Sequence, residues 1–455
     1  MENLLSEAAK RGSRYSKEIS GRRVAPRPED VARLDLLGGP LPQDTTDPLA
    51  VIALLDDLGS PATVASTSGR YFGFVTGGAL PVTVAANWLA GAWDQNAGLH
   101  ATSPFGAKIE EIAAQWLCNI FGLPDTCGVG FTTGATMANF TCLAAARHAL
   151  LKRAGWNVED DGLFGAPPLT VVVGAEVHVS LLKALSMLGL GRSRVITVPA
   201  DEQGRMKPEA LPGLNERTIV CMQAGNVNTG AFDPATEICV RAHKAGAWVH
   251  VDGAFGLWAA AAPLRAYLMK GVCEADSWAT DCHKWLNVPY DCGVALVRDS
   301  ESLRDAMIVS AAYLHTGNKR EPAHYSPEAS RRARGVEVWA AMRTLGRSGL
   351  AELIERNCRL AKRFAEGLRE YGFVVLNDVV LNQVLISFGG PETTRRVIAE
   401  VQAEGTCWCG GTEWHGHTAM RISVSSWATT EADVDGSLAA IARIAKRARS
   451  SQSAG

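Results

Sequence analysis

Between about residues 100 and 300 the hydrophobic pattern switches repeatedly between two periods. Ile109, Ile112, Trp116, Leu117 and Ile120 fall on one helical stripe. Thr102-Ser103-Pro104 stands just before them, with Ser103 as a cap and Pro104 in the first turn. A second helix is predicted from Gly134 to about Arg153, stopping at Gly155. Short apolar runs at 169–173, 195–198, 219–222, 248–251 and 294–297 predict strands. Helical stretches at 179–188 and 235–245 lie between several of them, and Gly246 stands where a left-handed cap belongs. Strand–helix–strand at this spacing predicts an α/β fold built on a mostly parallel sheet covered on both faces.

The texture changes near residue 335. Residues 336–371 are long, charged and helix-periodic. Strand-like runs follow at 373–376 and 383–388, then a helix at 391–404, a strand at 420–424 and a helix at 431–447. This mixture predicts an α+β small domain, with 450–455 as a frayed tail. Residues 1–65 read as an arm, basic through Lys10, Arg11, Arg14, Lys17, Arg22, Arg23 and Arg27 and interrupted by prolines. A short helix at 48–58, capped by Asp47, is predicted within it. The expected domains are therefore an N-terminal dimer-contact arm (1–65), a large domain (66–330) and a C-terminal small domain (331–455).

Charge and cysteine content narrow the picture. Lys and Arg number 45 against 47 Asp and Glu, a net charge of −2, which argues against a general polyanion binder. The basic run in the arm is balanced by nearby acids and has no interleaved aromatics, so it reads as a solvated or subunit-wrapping segment. With 47% hydrophobic residues the chain can bury a sizeable core. The eleven cysteines show no paired zinc spacing and read as buried thiols of a reducing compartment. Neither a leader pattern nor a run of about 18 uncharged apolar residues is visible. A cytoplasmic protein with no nucleic-acid or membrane partner is expected. Trp408, Trp414, His415 and His417 lack metal-ligand spacing and read as packing or a pocket rim, and no metal is expected.

Three pieces carry candidate chemistry. In Phe131-Thr132-Thr133-Gly134-Ala135-Thr136-Met137-Ala138-Asn139, small residues at a helix start leave backbone N–H groups free for an anion. Alone, this describes an ordinary turn equally well. In Val249-His250-Val251-Asp252-Gly253-Ala254, an acid ends an apolar strand where α/β sheets bind ligands. It needs a cationic partner, such as a protonated pyridine nitrogen, or else it serves as a cap. In Asp281-Cys282-His283-Lys284-Trp285, a lysine sits in apolar surroundings, where a lowered pKa would suit Schiff-base chemistry. A snorkelling surface lysine is the plain alternative. Taken in order, the three agree on a cofactor with a phosphate, a pyridine nitrogen and an aldehyde: pyridoxal 5′-phosphate.

With these motifs the chain resembles the group II pyridoxal-phosphate-dependent amino-acid decarboxylases, from about Tyr71 to Ile441. The His283-Lys284-Trp285-Leu286 stretch with Tyr290-Asp291-Cys292 is similar to the aromatic-type members. The resemblance implies a fold-type I homodimer with its active site at the subunit interface, acting on an amino-acid substrate. It implies Lys284 as the lysine that condenses with the cofactor and Asp252 as the partner of the pyridine nitrogen. It places Ala254 under the ring and His178 over it. Gly134, Ala135, Thr136 and His283 would hold the phosphate, and Asn226 would stand near the 3′-oxygen in place of the family's usual threonine. Thr76 and Phe74 would meet the substrate.

The family's proton donor is a tyrosine on a mobile loop. The corresponding loop here is 315–330, whose only tyrosine is Tyr325, with His324 as the alternative. Asp281 replaces an asparagine; facing a phosphate, it would have to turn away or be protonated. The expected reaction is decarboxylation, with aromatic substrates first. Transamination or oxidative decarboxylation to an aldehyde are alternatives on the same cofactor, and a non-catalytic binding or regulatory protein is the reading from another class.

Overall fold

The structure is a computed structural model that describes residues 1–308 and 319–452. Residues 315–318 of the loop named above, and 453–455 of the tail, lie outside the described residues. Contacts divide the chain into two compact units: Gly77–Ala361 with Asn377–Gln383, and Met1–Thr76 with Lys362–Leu376 and Val384–Gly455. The cuts fall at residues 76 and 361, against 65 and 330 from composition, and the N-terminal segment groups with the C-terminal one.

The larger unit is built on seven strands: β1 (Gly128–Thr132), β2 (Thr170–Gly174), β3 (Ile196–Val198), β4 (Thr218–Gln223), β5 (Trp248–Asp252), β6 (Ser277–Asp281) and β7 (Gly293–Val297). Their order is β1-β7-β6-β5-β4-β2-β3. The run from β6 to β3 is parallel, as expected, while β7 is antiparallel to both β6 and β1. Two reversals leave β1 parallel to β6.

β1 and β6 escape the apolar-run rule because GVGFT and SWATD are too small or too polar to read as core. Both are nonetheless buried along their whole length. Gly130 has to lack a side chain, since a Cβ there would lie 1.8 Å from the Tyr325 carbonyl oxygen. The helix Ala135–Arg153 packs on the sheet through Ala138, Cys142, Leu143, Ala146 and Leu150, against Val171, Val173 and Ile219. Truncating Leu143 or Leu150 to Ala would cost about 2–5 kcal/mol.

The predicted start and stop signals are realised. Ser103 Oγ accepts from Gly106 N at 3.1 Å, Asp47 Oδ1 accepts from Leu49 N at 3.1 Å, and Gly246 takes φ +73° after the helix Ala235–Lys244.

The smaller unit holds a four-stranded sheet of β8 (Val374–Val375), β9 (Gln383–Ser387), β10 (Gly410–Trp414) and β11 (His417–Ser423), ordered β10-β11-β9-β8. β10 was not expected. It pairs with β11 through His415-Gly416, whose φ of +47° and +79° make a two-residue hairpin turn. The single helix predicted over 336–371 is two helices, Gly335–Glu370 being interrupted at Gly346, φ +59°. Apolar spacing runs straight through that glycine, so the break is invisible to periodicity.

In the N-terminal segment, Arg11 of the helix Glu2–Glu18 meets Asp56 and Asp57 at 2.8 Å, and Arg14 also meets Asp56. The basic run is thus neutralised locally. All eleven cysteines are free, and nine are buried. Among the described residues no helix is long and apolar enough to cross a membrane.

Candidate active site

The carboxyl ends of β1, β2, β4, β5 and β6 share one edge of the large sheet, the edge where such sheets bind ligands. β6 ends at Asp281, and Lys284 follows on a turn closed by Cys282 N and His283 N, which both donate to Cys292 O at 3.0 and 3.2 Å. Cys282, Trp285, Leu286 and Val288 are fully buried, and Trp285 Nε1 donates to Asn357 Oδ1 at 2.9 Å. These anchors hold the turn while the Lys284 side chain keeps 18% exposure. Its Nζ lies 3.0 Å from Asp281 Oδ2. A Cβ on Gly77 would fall 1.6 Å from the Lys284 carbonyl oxygen, so only glycine lets the chain pass there.

Asp281 does not turn away from the helix start. Its Oδ1 accepts from Ala135 N at 2.6 Å, at the first residue of the helix Ala135–Arg153, where the helix dipole favours negative charge. His283 Nδ1 accepts from Cys292 N at 3.2 Å, which leaves the ring proton on Nε2, 3.5 Å from Asp281 Oδ1. Burial lowers the His283 pKa, so the ring is neutral near pH 7. It tilts against Tyr290 with centroids 4.3 Å apart. Gly134 lies beside this ring: a Cβ there would sit 3.2 Å from His283 Cε1. Gly134, Ala135, Asp281, His283 and Lys284 therefore form one group, and Thr136 follows in the helix's first turn.

Asp252 ends β5 and is buried. Its Oδ1 accepts from Ala254 N and its Oδ2 from Asn139 Nδ2, both at 3.2 Å. Asn226 lies past the end of β4 and is buried; its Oδ1 accepts from Asn228 N at 2.9 Å and Thr229 N at 3.2 Å. Its Nδ2 has no partner among the described residues. His178 follows β2 as the cap of the helix Val179–Met187, with Nδ1 2.7 Å from Ser180 Oγ.

Phe74 and Thr76 belong to the smaller unit. Thr76 is buried and donates its N–H to Gly73 O at 3.2 Å. Phe74 is exposed at φ +52° and stacks on Trp408, which also stacks on Tyr71, with centroids 5.5 and 5.1 Å apart.

Tyr325 packs beside β1 against the large core, its backbone over Gly130 and its ring under Arg320 at 4.0 Å. His324 is buried next to it, and burial lowers its pKa. Asn139 ends the small-residue run at the helix start, where it was given no role of its own, and Ser277 carries no motif. The one signal for Asn139 is its place one helical turn past Ala135.

Residues 51–388 match the pyridoxal-dependent decarboxylase conserved domain. The chain belongs to that family. It is 28% identical over 324 residues to the acidic amino acid decarboxylase GADL1 of Bos taurus, covering 68% of this chain and 61% of that protein. It is 25% identical over 386 residues to the aromatic-L-amino-acid decarboxylase of Bacillus atrophaeus, covering 80% and 78%. The chain thus spans about three fifths of the GADL1 relatives. The crystal structure of Oryza sativa TDC with PLP and tryptamine superposes with a TM-score of 0.90 at 23% identity, covering 98% of this chain and 97% of that one. The Rhodiola rosea 4-hydroxyphenylacetaldehyde synthase structure superposes at 0.86 and 21%, covering 98% of each. These likenesses establish the shared fold.

The residues present fit the family's cofactor. The set offers a primary amine, a buried carboxylate, a neutral imidazole and an amide donor at Asn226 Nδ2 that is buried without a partner. An orphaned donor of this kind calls for an acceptor from outside the chain.

Proposed function

We propose that this chain is a pyridoxal-phosphate-dependent decarboxylase of L-amino acids, releasing carbon dioxide and an amine, with aromatic side chains as its substrate class. The observation that carries this reading is the shielded Lys284 amine on the sheet edge that also bears the buried Asp252 carboxylate. Pyridoxal phosphate, when bound, supplies an aldehyde for an amine and a ring that takes up the electron pair left by the departing carboxylate.

The chain's own residues do the rest. Lys284 anchors the cofactor and yields to the substrate amine. Asp252 keeps a proton on the pyridine nitrogen. Asn226 would donate to the ring oxygen, and the amides at Gly134 and Thr136 would hold the phosphate with His283, joined by the Ala135 amide once Asp281 releases it. Ala254 and His178 bracket the ring. Thr76 and Phe74 are the positions that the family resemblance assigns to the substrate.

A homodimer with its site at the interface is the expected assembly. Trp88, Leu89 and Trp93 on the helix Pro81–Trp93 are large apolar residues left exposed, the kind of surface that a second subunit covers. Product analysis by mass spectrometry tests the activity: the protein with added cofactor is incubated in air with aromatic and acidic L-amino acids. The expected product is the amine of an aromatic substrate, and an aldehyde or keto acid would overturn decarboxylation to the amine.

Asp281→Asn is expected to tighten cofactor binding by about tenfold, equivalent to one pKa unit of like-charge repulsion removed. It takes a carboxylate away from the helix start and frees Lys284 from its ion pair. Titrating the cofactor-free protein with pyridoxal phosphate checks this, and weaker binding would mean that the Asp281 charge supports the bound state.

Tyr325→Phe is expected to leave the amine as product, because its ring is held under Arg320 beside β1. An aldehyde product from that variant would restore Tyr325 as the proton donor.

A further inference from the structure

A buried polar chain runs from the core of the larger unit to the Asp252 carboxylate. Trp248 Nε1 donates to Ser277 Oγ at 2.9 Å. Ser277 Oγ lies 2.9 Å from His250 Nδ1, and His250 Nε2 lies 2.8 Å from Asn139 Oδ1. Asn139 Nδ2 donates to Asp252 Oδ2 at 3.2 Å. Ser277, His250 and Asn139 are all 0% exposed.

The two ends, with the imidazole neutral, decide where every proton sits. An indole N–H can only donate, and an ionised carboxylate can only accept. Ser277 Oγ accepts from Trp248 and, with His250 a neutral imidazole whose proton is on Nε2, gives its hydroxyl proton to His250 Nδ1. His250 then carries its proton on Nε2 and gives it to Asn139 Oδ1. The Asn139 amide is thereby oriented with its NH2 toward Asp252. Every hydrogen bond in the chain points the same way and ends on the carboxylate. Such bonds polarise one another in a low-dielectric interior.

We propose that Ser277, His250 and Asn139 are positioning residues that hold the Asp252 carboxylate aimed. This rests on the reading of Asp252 as the partner of the cofactor's pyridine nitrogen. Burial agrees with a neutral imidazole, pushing the His250 pKa down to about 3. The thiols of Cys142, on the helix Ala135–Arg153, and Cys221, on β4, also face the Asp252 charge, and burial pushes both up. Both stay neutral. Among the described residues, no cation of the chain neutralises Asp252 through this network, which leaves its charge for a cation brought by the cofactor.

The test starts from cofactor-free protein labelled at histidine for NMR. The His250 signal, identified by its loss in His250→Phe, is expected to be the neutral Nε2–H tautomer, unchanged from about pH 5 to 8. If that variant does not fold, Ser277→Ala, which deletes only the hydroxyl, identifies the signal by shifting it. An imidazolium or an Nδ1–H tautomer would overturn the proposal, whatever Asp252 does.

Cofactor affinity and the pH midpoint of the bound cofactor's ring absorbance are then read in Ser277→Ala and His250→Phe. The expected result is a roughly tenfold weaker affinity and a midpoint moved down by about one unit, because Asn139, released at its Oδ1, no longer holds its hydrogen bond to the Asp252 carboxylate. An unchanged affinity and midpoint beside the expected tautomer would make the chain purely structural and overturn the positioning role. If Asp252→Asn also left the midpoint in place, the reading of Asp252 itself would fall.

Discussion

Lys284→Ala is expected to abolish the visible absorbance of bound cofactor and to lower turnover by more than about a thousandfold. The expectation rests on what the side chain does and does not hold together. Lys284 is partly exposed, and its contact to other residues is the 3.0 Å ion pair with Asp281. Removing it leaves Asp281 bonded to Ala135 N at the helix start, a favourable place for a carboxylate. The turn is fixed instead by Trp285, by Cys282 and by the Cys292 carbonyl. Folding should therefore lose about 1–3 kcal/mol, because the buried Asp281 carboxylate loses its cation and keeps Ala135 N as a donor. A thermal melt within a few degrees of the parent, together with lost turnover, would place the defect in the chemistry. Retained turnover would overturn the assignment of Lys284 and, with it, the proposed reaction.

The sequence showed the parts of this site unevenly, for physical reasons. Helices with strong start signals, such as those begun by Asp47-Pro48 and Ser103-Pro104, were legible because caps and prolines act within a few residues. The strands with continuous apolar runs were legible too, since parallel strands are buried on both faces. β1 and β6 were not. Gly130 is required by the Tyr325 backbone packed over it, while Ser277 is held by His250 and Asp281 by Ala135 and Lys284. A strand that carries function loses the pattern by which strands are recognised.

Lys284 and Asp252 stood out because each lies in a local motif. The network behind Asp252 did not, since Asn139, His250 and Ser277 meet only through pairings across 111 and 27 residues. Tyr325 was read from its loop position alone. It was the only tyrosine in the expected loop, but a position in a loop does not say which way the chain turns. Here it turns back onto β1.

Asp252→Asn is expected to lower turnover by about a hundredfold to a thousandfold, the size seen when one preorganised electrostatic contact to a reacting system is lost. Asparagine has the shape of aspartate, so the site keeps its volume, but the hydrogen bonds no longer match. Both oxygens of Asp252 face donors, Ala254 N on one side and Asn139 Nδ2 on the other. An amide presents one acceptor and one NH2, so one of those pairings becomes donor against donor. Asn139 cannot turn over to relieve it, because its Oδ1 accepts from His250 Nε2, and His250 is fixed in turn by Ser277 and Trp248. The mismatch should cost about 1–3 kcal/mol of stability, as for a buried polar group left unpaired. Two readouts therefore move together: a lower melting temperature in the cofactor-free protein, and a lost charge opposite the pyridine nitrogen in the loaded one. Asn139→Asp in the same chain, an acceptor where the donor had been, should recover the melting temperature in part and leave turnover low. Turnover within threefold of the parent in Asp252→Asn would show that the reaction does not draw on this carboxylate.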